Sequence, residues 1–484
     1  AAAWTFDQPR SLLTDAVGGY ALKVEEPDGI EWAREARAQD MRVVTVLGFP
    51  PPWAATSRGG DSAPSGLPQT SAWAEYVEHV TRQYRGLIDH WEIWHQPNST
   101  DFWPETPDPR RYLHLLKTAY AAAKRGNPRC TVLMPGLLGP NDNGEGMEFL
   151  ENLIRIGAAR YCDGISIHPY RKGSPENTAF ARQLQRIFDL CTTHGGRKPI
   201  WITELSWSTE FPTGVSEARQ AAILARAYVL AAATGRADRI LWYRLHDWGS
   251  DRSVPDENCG LCREDLSPKP AFVAHRTLSV LLGHAQPLAG PLPAHNAYVC
   301  LFRSGVERLA AVWAAEGRRA MALATGLSRA AVTDLMGNST FQATDDGVLV
   351  LEASEMPAFV RGLRSTARWL DEPVAIADAS VSRGAAVRTT IRIRNPFPSG
   401  RTVRLDTTVE PEFRQWFNVE PASTTVTVGP RGSATVSVRV TASPSASLGS
   451  VELRLRCAFV KTGVGAASKR GASSVTVTAR LTVK

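Results

Sequence analysis

At 484 residues, 43% of them hydrophobic, the chain is long enough for several separate cores, which excludes a single small domain. Its formal net charge is +7, but residues 366–484 hold 17 Lys and Arg against 8 Asp and Glu, so the remainder is close to neutral. Those basic residues alternate with apolar ones (Arg392, Arg394; Arg454, Arg456), the pattern of a solvated strand face, and no nucleic-acid partner is expected.

From residue 20 to about 285, strand-like apolar runs alternate with amphipathic helical stretches, the signature of a parallel α/β architecture. The expected strands are ALKVEE (21–26), RVVTVLGF (42–49), LIDHWEIW (87–94), CTVLMPG (130–136), DGISIHPY (163–170), PIWITELSW (199–207) and RILWYRLHD (239–247), with AAAWTF as an eighth candidate. Helical spacing recurs in GIEWAREARAQDM, RRYLHLLKTAYAAAKRG, NTAFARQLQRIFDLCTTHG, SEARQAAILARAYVLAAATG and SPKPAFVAHRTLSVLLG. Eight such units in roughly 250 residues have the dimensions of a (β/α)8 TIM barrel over residues 1–285. Only about 40 residues precede RVVTVLGF, where two full units need about 60, so the first unit is expected to be vestigial or open.

Beyond residue 285 the texture changes to short alternating runs with frequent turns. Residues 286–365 read as a small antiparallel β domain, and the seven strand-like runs of 366–484 as a C-terminal immunoglobulin-like β-sandwich with a Gly-, Ser- and Lys-rich hairpin loop at 461–473.

Seven Cys are an odd number, so a disulfide framework cannot use them all. Cys259 and Cys262 form a CxxC with no second pair, which reads as a local disulfide or as two packing residues rather than as a metal site. No segment reaches the roughly 18 uninterrupted apolar residues of a membrane span, because Arg226 interrupts the best one, QAAILARAYVLAAATG. The small-residue start AAAWTF suits a chain after signal-peptide cleavage and points to a secreted or extracytoplasmic protein.

In a barrel of this kind chemistry gathers where strands end at the C-terminal face. Those ends carry Trp53, Trp94, His95, Gln96, Asn98, His168, Tyr170, Glu204, Trp207, Trp242 and Asp247. Aromatic faces suit the C–H surfaces of sugar rings, and Glu204 closes the apolar strand PIWITE, where a carboxylate is either a structural partner or a nucleophile or base. Asn98 and Asn338 begin sequons.

The stretch WEIWHQPN resembles the W-E-x-W-N-E-P-N motif of clan A retaining glycoside hydrolases, closest to family 39, which includes β-xylosidases, α-L-iduronidases and exopolysaccharide hydrolases. GFPPPWA, DGISIHPY, WITELSWST and the segment HDWGSDRSVPDENCGLCREDLSPKPAF are similar to that clan's third-, sixth-, seventh- and eighth-strand loops, so the likeness covers about 20–365 in order. It implies a retaining double displacement with Glu204 as nucleophile, substrate contacts from Trp53, Trp94, Asn98, His168, Tyr170, Trp207, Trp242 and Asp247, and neither a metal nor an organic cofactor. The chain departs from the motif at its centre. The acid/base Glu is Gln96, and the preceding Asn is His95.

An amide cannot donate a proton at neutral pH, and acid–base help is worth about 10² to 10⁴ in rate, or about 3 to 5 kcal/mol. The expected function is glycoside hydrolysis of a poly- or oligosaccharide with a relocated proton donor, His95 first and then the rim acids Asp101, Glu105, Glu210 or Asp247. The alternatives are a substrate with a good leaving group, as in the plant thioglucosidases that also carry Gln there, a transglycosidase, or a carbohydrate-binding protein without activity. A deliberate Glu-to-Gln exchange would account for Gln96 and leave His95 unexplained.

Overall fold

The computed structural model describes residues 10–14, 19–23, 29–50, 54–56, 66–139, 145–249, 251–294, 297–370, 372–462 and 473–484. AAAWTF, Trp53 and most of the Gly-rich loop near 461–473 lie outside them. The chain forms two compact units, Ala1–Ala285 and Gln286–Lys484.

The first unit is mixed α/β. Strands β1 (Arg10–Thr14) and β2 (Gly19–Lys23) form an antiparallel hairpin, and β1 also runs antiparallel to β3 (Arg42–Leu47). Ala21–Lys23, the described part of ALKVEE, therefore lies in the second arm of a hairpin, and antiparallel pairing stands where a parallel βα unit was expected. From β3 on, pairing is parallel. β3 pairs with β4 (His90–Ile93), which pairs with β5 (Thr131–Leu133); then β6 (Leu137–Leu138), β7 (Ile165–His168), β8 (Ile200–Ile202) and β9 (Ala237–Ile240) follow in order. Bridges His95–Gly136 and Leu133–Gly164 carry the pairing across the β5–β6 break.

Seven helices are described in this unit: α1 (Gly29–Ala38), α2 (Thr70–Gln83), α3 (Pro109–Gly126), α4 (Glu145–Arg155), α5 (Phe180–His194), α6 (Glu217–Thr234) and α7 (Pro270–Leu282). Local chemistry fixes their ends. Asp108 caps α3 by accepting from the Arg110 N–H at 2.8 Å, with Pro109 in the first turn, and Ser216 caps α6 by accepting from the Arg219 N–H. Gly235 stops α6 at φ 61°.

The strand expected over 239–247 ends at Ile240. Beyond it the backbone finds other partners: Leu261 donates to Arg244 O, Cys262 to Leu245 O, and Asp247 to Cys262 O. Those bonds divert the rim segment from the sheet.

Val44 of β3, Leu133 of β5, Trp201 of β8 and Leu241 just after β9 meet in one apolar cluster. Side chains from non-neighbouring strands thus share an interior. Arg226, which interrupts the apolar run of α6, is wholly buried and makes a two-pronged pair with the equally buried Glu176 at 2.8 and 2.6 Å. That pairing is what lets an all-round apolar helix carry a charge.

The second unit is sheet-rich. Residues 286–361 supply a six-stranded sheet, and a three-stranded sheet joins Val348–Ala353, Arg319–Ala324 and Arg368–Leu370. Residues 374–483 supply a four-stranded and a five-stranded sheet. One buried cluster draws Ile391 and Val438 from the former and Val403, Leu455 and Val477 from the latter, and it continues into Ala320, Ala322, Val348 and Val350. The blocks read separately in the sequence therefore share apolar contact. All seven Cys are buried and unpaired, so Cys259 and Cys262 are packing residues and the local-disulfide reading is corrected.

Removing one member of a buried pair strands the other charge. Arg226→Met is expected to lose about 3 to 5 kcal/mol of unfolding free energy, while the double change Arg226→Met/Glu176→Leu loses clearly less, both read by denaturant melts.

Candidate active site

The parallel strands bring their C-terminal ends to one edge of the sheet, and the site is built there. At that edge the backbone leaves regular geometry: Phe49, Trp94 and Gln96 have φ of 56°, 68° and 42°. Non-glycine residues in the left-handed region are held only where surrounding bonds over-determine them. Here Trp94 N donates to Leu47 O at 2.7 Å, Gln96 N to Gly136 O at 3.1 Å, and Ser99 N to Gln96 O at 2.9 Å. The consequence is that His95 and Gln96 both turn inward and are buried.

Glu204 follows β8 and is 5% exposed. Its Oε2 accepts a hydrogen bond from the Tyr170 hydroxyl at 2.9 Å and lies 3.4 Å from His168 Nδ1; its Oε1 lies 3.9 Å from His95 Nδ1. Gln96 Nε2 lies 2.8 Å from the same His168 Nδ1. Positions 96 and 204 thus converge on one ring atom, which puts their polar tips within about 6 Å of each other. Burial pushes the Tyr170 hydroxyl well above its usual range, with the Glu204 charge adding to the effect, so Tyr170 stays a donor.

Behind these residues stands a group that the sequence reading left out. Glu92 of β4 is fully buried; its Oε2 accepts from Ser166 Oγ at 2.5 Å and its Oε1 faces His168 Nε2 at 3.9 Å. Ser166 Oγ and Thr203 Oγ1 are 2.5 Å apart, and Thr203 Oγ1 is 3.0 Å from His168 Nε2. Burial pushes the Glu92 carboxyl up to about 7; the Ser166 and Thr203 hydroxyls and the Gly136 N–H oppose that rise, and the Glu204 charge reinforces it. Glu92, His95 and His168 bring one donor atom each within 4.8 Å, a spacing a small cation would need. The hydroxyl bonds already made by Glu92 Oε2 and His168 Nε2 fit a hydrogen-bond chain better than a cation site. Period-2 alternation in HWEI places Glu92 on one face of β4, but nothing local says that the face meets Ser166 and Thr203 from other strands.

Several sequence-predicted residues occupy structural positions. Asn98 ties its loop to β6, donating to Leu138 O at 2.8 Å and accepting from Leu138 N at 3.0 Å. Asp247 is buried against Lys269 at 2.7 Å and accepts from Gly260 N, so its charge is already matched. Trp94 and Trp242 are 0% exposed, with indole N–H groups on Phe102 O and Cys259 O; Trp207 stacks on Trp242 at 6.2 Å and donates to Gly173 O. Among the described residues, Phe49 (40% exposed) and Trp248 (43%) leave aromatic surface open near this edge, and the Arg244 guanidinium sits over Trp248 at 4.2 Å. Asp101 and Glu105 carry polar partners of their own, Ser99 and Arg111, and Glu210 holds Thr213.

No family model and no curated protein matches the chain. Solved structures do. A family 39 glycoside hydrolase from the gut symbiont Bacteroides cellulosilyticus WH2 is similar at 22% identity over 71% of this chain and 72% of that one, with a TM-score of 0.59. The glycoside hydrolase family 30 subfamily 8 xylanase Xyn30A from Clostridium acetobutylicum is similar at 15% identity over 70% and 84%, with a TM-score of 0.50. The fold is one found among glycoside hydrolases, and the likeness to family 39 read from WEIWHQPN points the same way.

Because the folded-state carboxyl of Glu92 holds its proton more tightly than an unfolded one, its contribution to stability is full below about pH 4.5 and fades as pH rises through about 7. Glu92→Gln should therefore flatten the decline in unfolding free energy between pH 5 and 8 by about 3 kcal/mol at most, measured by urea melts at the two pH values.

Proposed function

We propose that the first unit is a glycoside hydrolase barrel of the retaining type, with Glu204 as nucleophile and a carbohydrate as substrate. The observation that carries this reading is the convergence of Gln96 and Glu204 on His168 Nδ1, which keeps the two polar tips within about 6 Å of each other and so supports a pair spaced for double displacement. Side chains from β3, β5, β8 and the end of β9 share one interior, as the strands of a closed (β/α)8 barrel do. Tyr170 holds one carboxylate oxygen of Glu204 and leaves the other facing His95.

In the first half-reaction Glu204 forms an ester with the anomeric carbon while the glycosidic oxygen departs with the bonding electrons. Gln96 can hydrogen-bond that oxygen but cannot protonate it. The proton comes from another group, or the natural leaving group is acidic enough to need none. Asp247 is matched by Lys269, and the carboxyls of Asp101, Glu105 and Glu210 are held in surface contacts, which leaves the two buried histidines, His95 and His168, beside the nucleophile together with the Tyr170 hydroxyl that already donates to it.

A panel of 2-deoxy-2-fluoro glycosyl fluorides and dinitrophenyl glycosides bypasses the acid, and intact-mass and peptide mass spectrometry should find a glycosyl ester on Glu204. A panel that binds, by calorimetry, without labelling Glu204 would favour a carbohydrate-binding protein without activity. Gln96→Glu is expected to raise turnover of substrates with unactivated alcohol leaving groups by about 10² to 10⁴ if loss of the acid is the whole defect, and to lower it if the donor has moved.

A further inference from the structure

Each hydroxyl has one proton to give, and when Glu92 is ionised that count fixes the direction of the buried chain. Ser166 gives its proton to Glu92 Oε2, so Ser166 Oγ accepts from Thr203, and Thr203 Oγ1 accepts from His168 Nε2–H. His168 Nδ1 is then the lone-pair nitrogen and accepts from the Gln96 amide N–H. Every donor from Gln96 inward points toward the Glu92 carboxylate. Nδ1, at the far end, is also the atom that faces Glu204 Oε2 at 3.4 Å.

We infer that Glu92 is a positioning residue of this site: acting through Ser166 and Thr203, it fixes the tautomer of His168 and sets how strongly Nδ1 holds a proton between Gln96 and Glu204. A negative charge at the end of an aligned hydrogen-bond chain makes the opposite nitrogen more basic, the logic by which a buried carboxylate orients a catalytic imidazole. The geometry gives the ring little choice. A Cβ on Gly136 would lie 1.9 Å from His168 Nε2, so bare backbone on one side and Thr203 on the other hold the ring in one plane. Among the described residues, the other ionisable groups seen to face His168 are Glu204, His95, at 5.2 Å between ring centroids, and Tyr170, at 6.4 Å. Those around Glu92 are Glu204 and Tyr112, whose wholly buried hydroxyl donates to Ile93 O at 2.8 Å. Glu92 is thus the acid placed to tune His168 from the Nε2 side, and Glu204 the one on the Nδ1 side.

The inference rests on the proposed role of Glu204 for its meaning but not for its test, which needs no substrate. In the full chain labelled with 15N and 13C at histidine, the His168 resonances, identified by their loss in His168→Asn, are followed against pH. The native protein should show the Nε2–H tautomer in its 15N shifts. Glu92→Gln should lower the midpoint of His168 by about one unit, since a carboxylate near Nε2 favours the charged ring, and should mix the tautomers. Ser166→Ala covers the case in which Glu92→Gln fails to fold. It removes a bond that favours the Glu92 carboxylate and cuts the chain, and should shift the midpoint in the same direction by less. A folded variant of either kind with the native midpoint, within about 0.2 unit, and the native tautomer overturns the relay. Coupling without labelling of Glu204 would overturn the hydrolase reading and leave the relay standing; labelling without coupling would do the reverse.

Discussion

The edge of the first unit where chemistry gathers depends on one close approach, the imidazole of His168 against the bare backbone of Gly136. A side chain there would occupy the space of His168 Nε2, and the ring could no longer touch Thr203 on one side and Gln96 and Glu204 on the other. Gly136 also accepts from Gln96 N and bridges to His95, so the same residue holds the loop that presents position 96. Packing, backbone and polar network are satisfied together or not at all.

Around that contact the charges are arranged sparingly. Where a family 39 motif carries an acid, this chain carries an amide, so Glu204 faces one formal charge fewer than it would beside a glutamate. The buried carboxylate that remains, Glu92, lies behind His168, screened from the edge and pushed up to about 7 by its burial. Asp247 is matched by Lys269, and most of the indoles near the edge are covered and bonded through their N–H groups.

How much of this was legible depended on range. Helices α3, α5, α6 and α7 announce themselves by 3.6-residue spacing and caps, and the parallel strands by short β-branched and aromatic runs. Glu204, Gln96, His168 and Tyr170 stand out because each ends such a run. The strand expected over 239–247 was lost to backbone partners at 261 and 262, which no local pattern announces. Glu92 was passed over because a charged residue inside an apolar strand gains its meaning only from Ser166 and Thr203, 74 and 111 positions further along the chain. The aromatic residues misled in the opposite direction: Trp94 and Trp242 sit at strand ends, but neighbours cover their faces.

The seven unpaired thiols, distributed over both units, have a practical consequence. No covalent cross-link has to form for the chain to reach this fold, so a reducing medium and an oxidising one should yield the same molecule. Because every sulfur is buried, and burial holds the Cys162, Cys191 and Cys457 thiols well above the usual range, alkylating reagents will meet little thiolate until the structure opens. The protein therefore carries its own reporters of opening, Cys130, Cys162, Cys191, Cys259 and Cys262 in the first unit and Cys300 and Cys457 among the sheets of the second, each silent for as long as its surroundings stay closed.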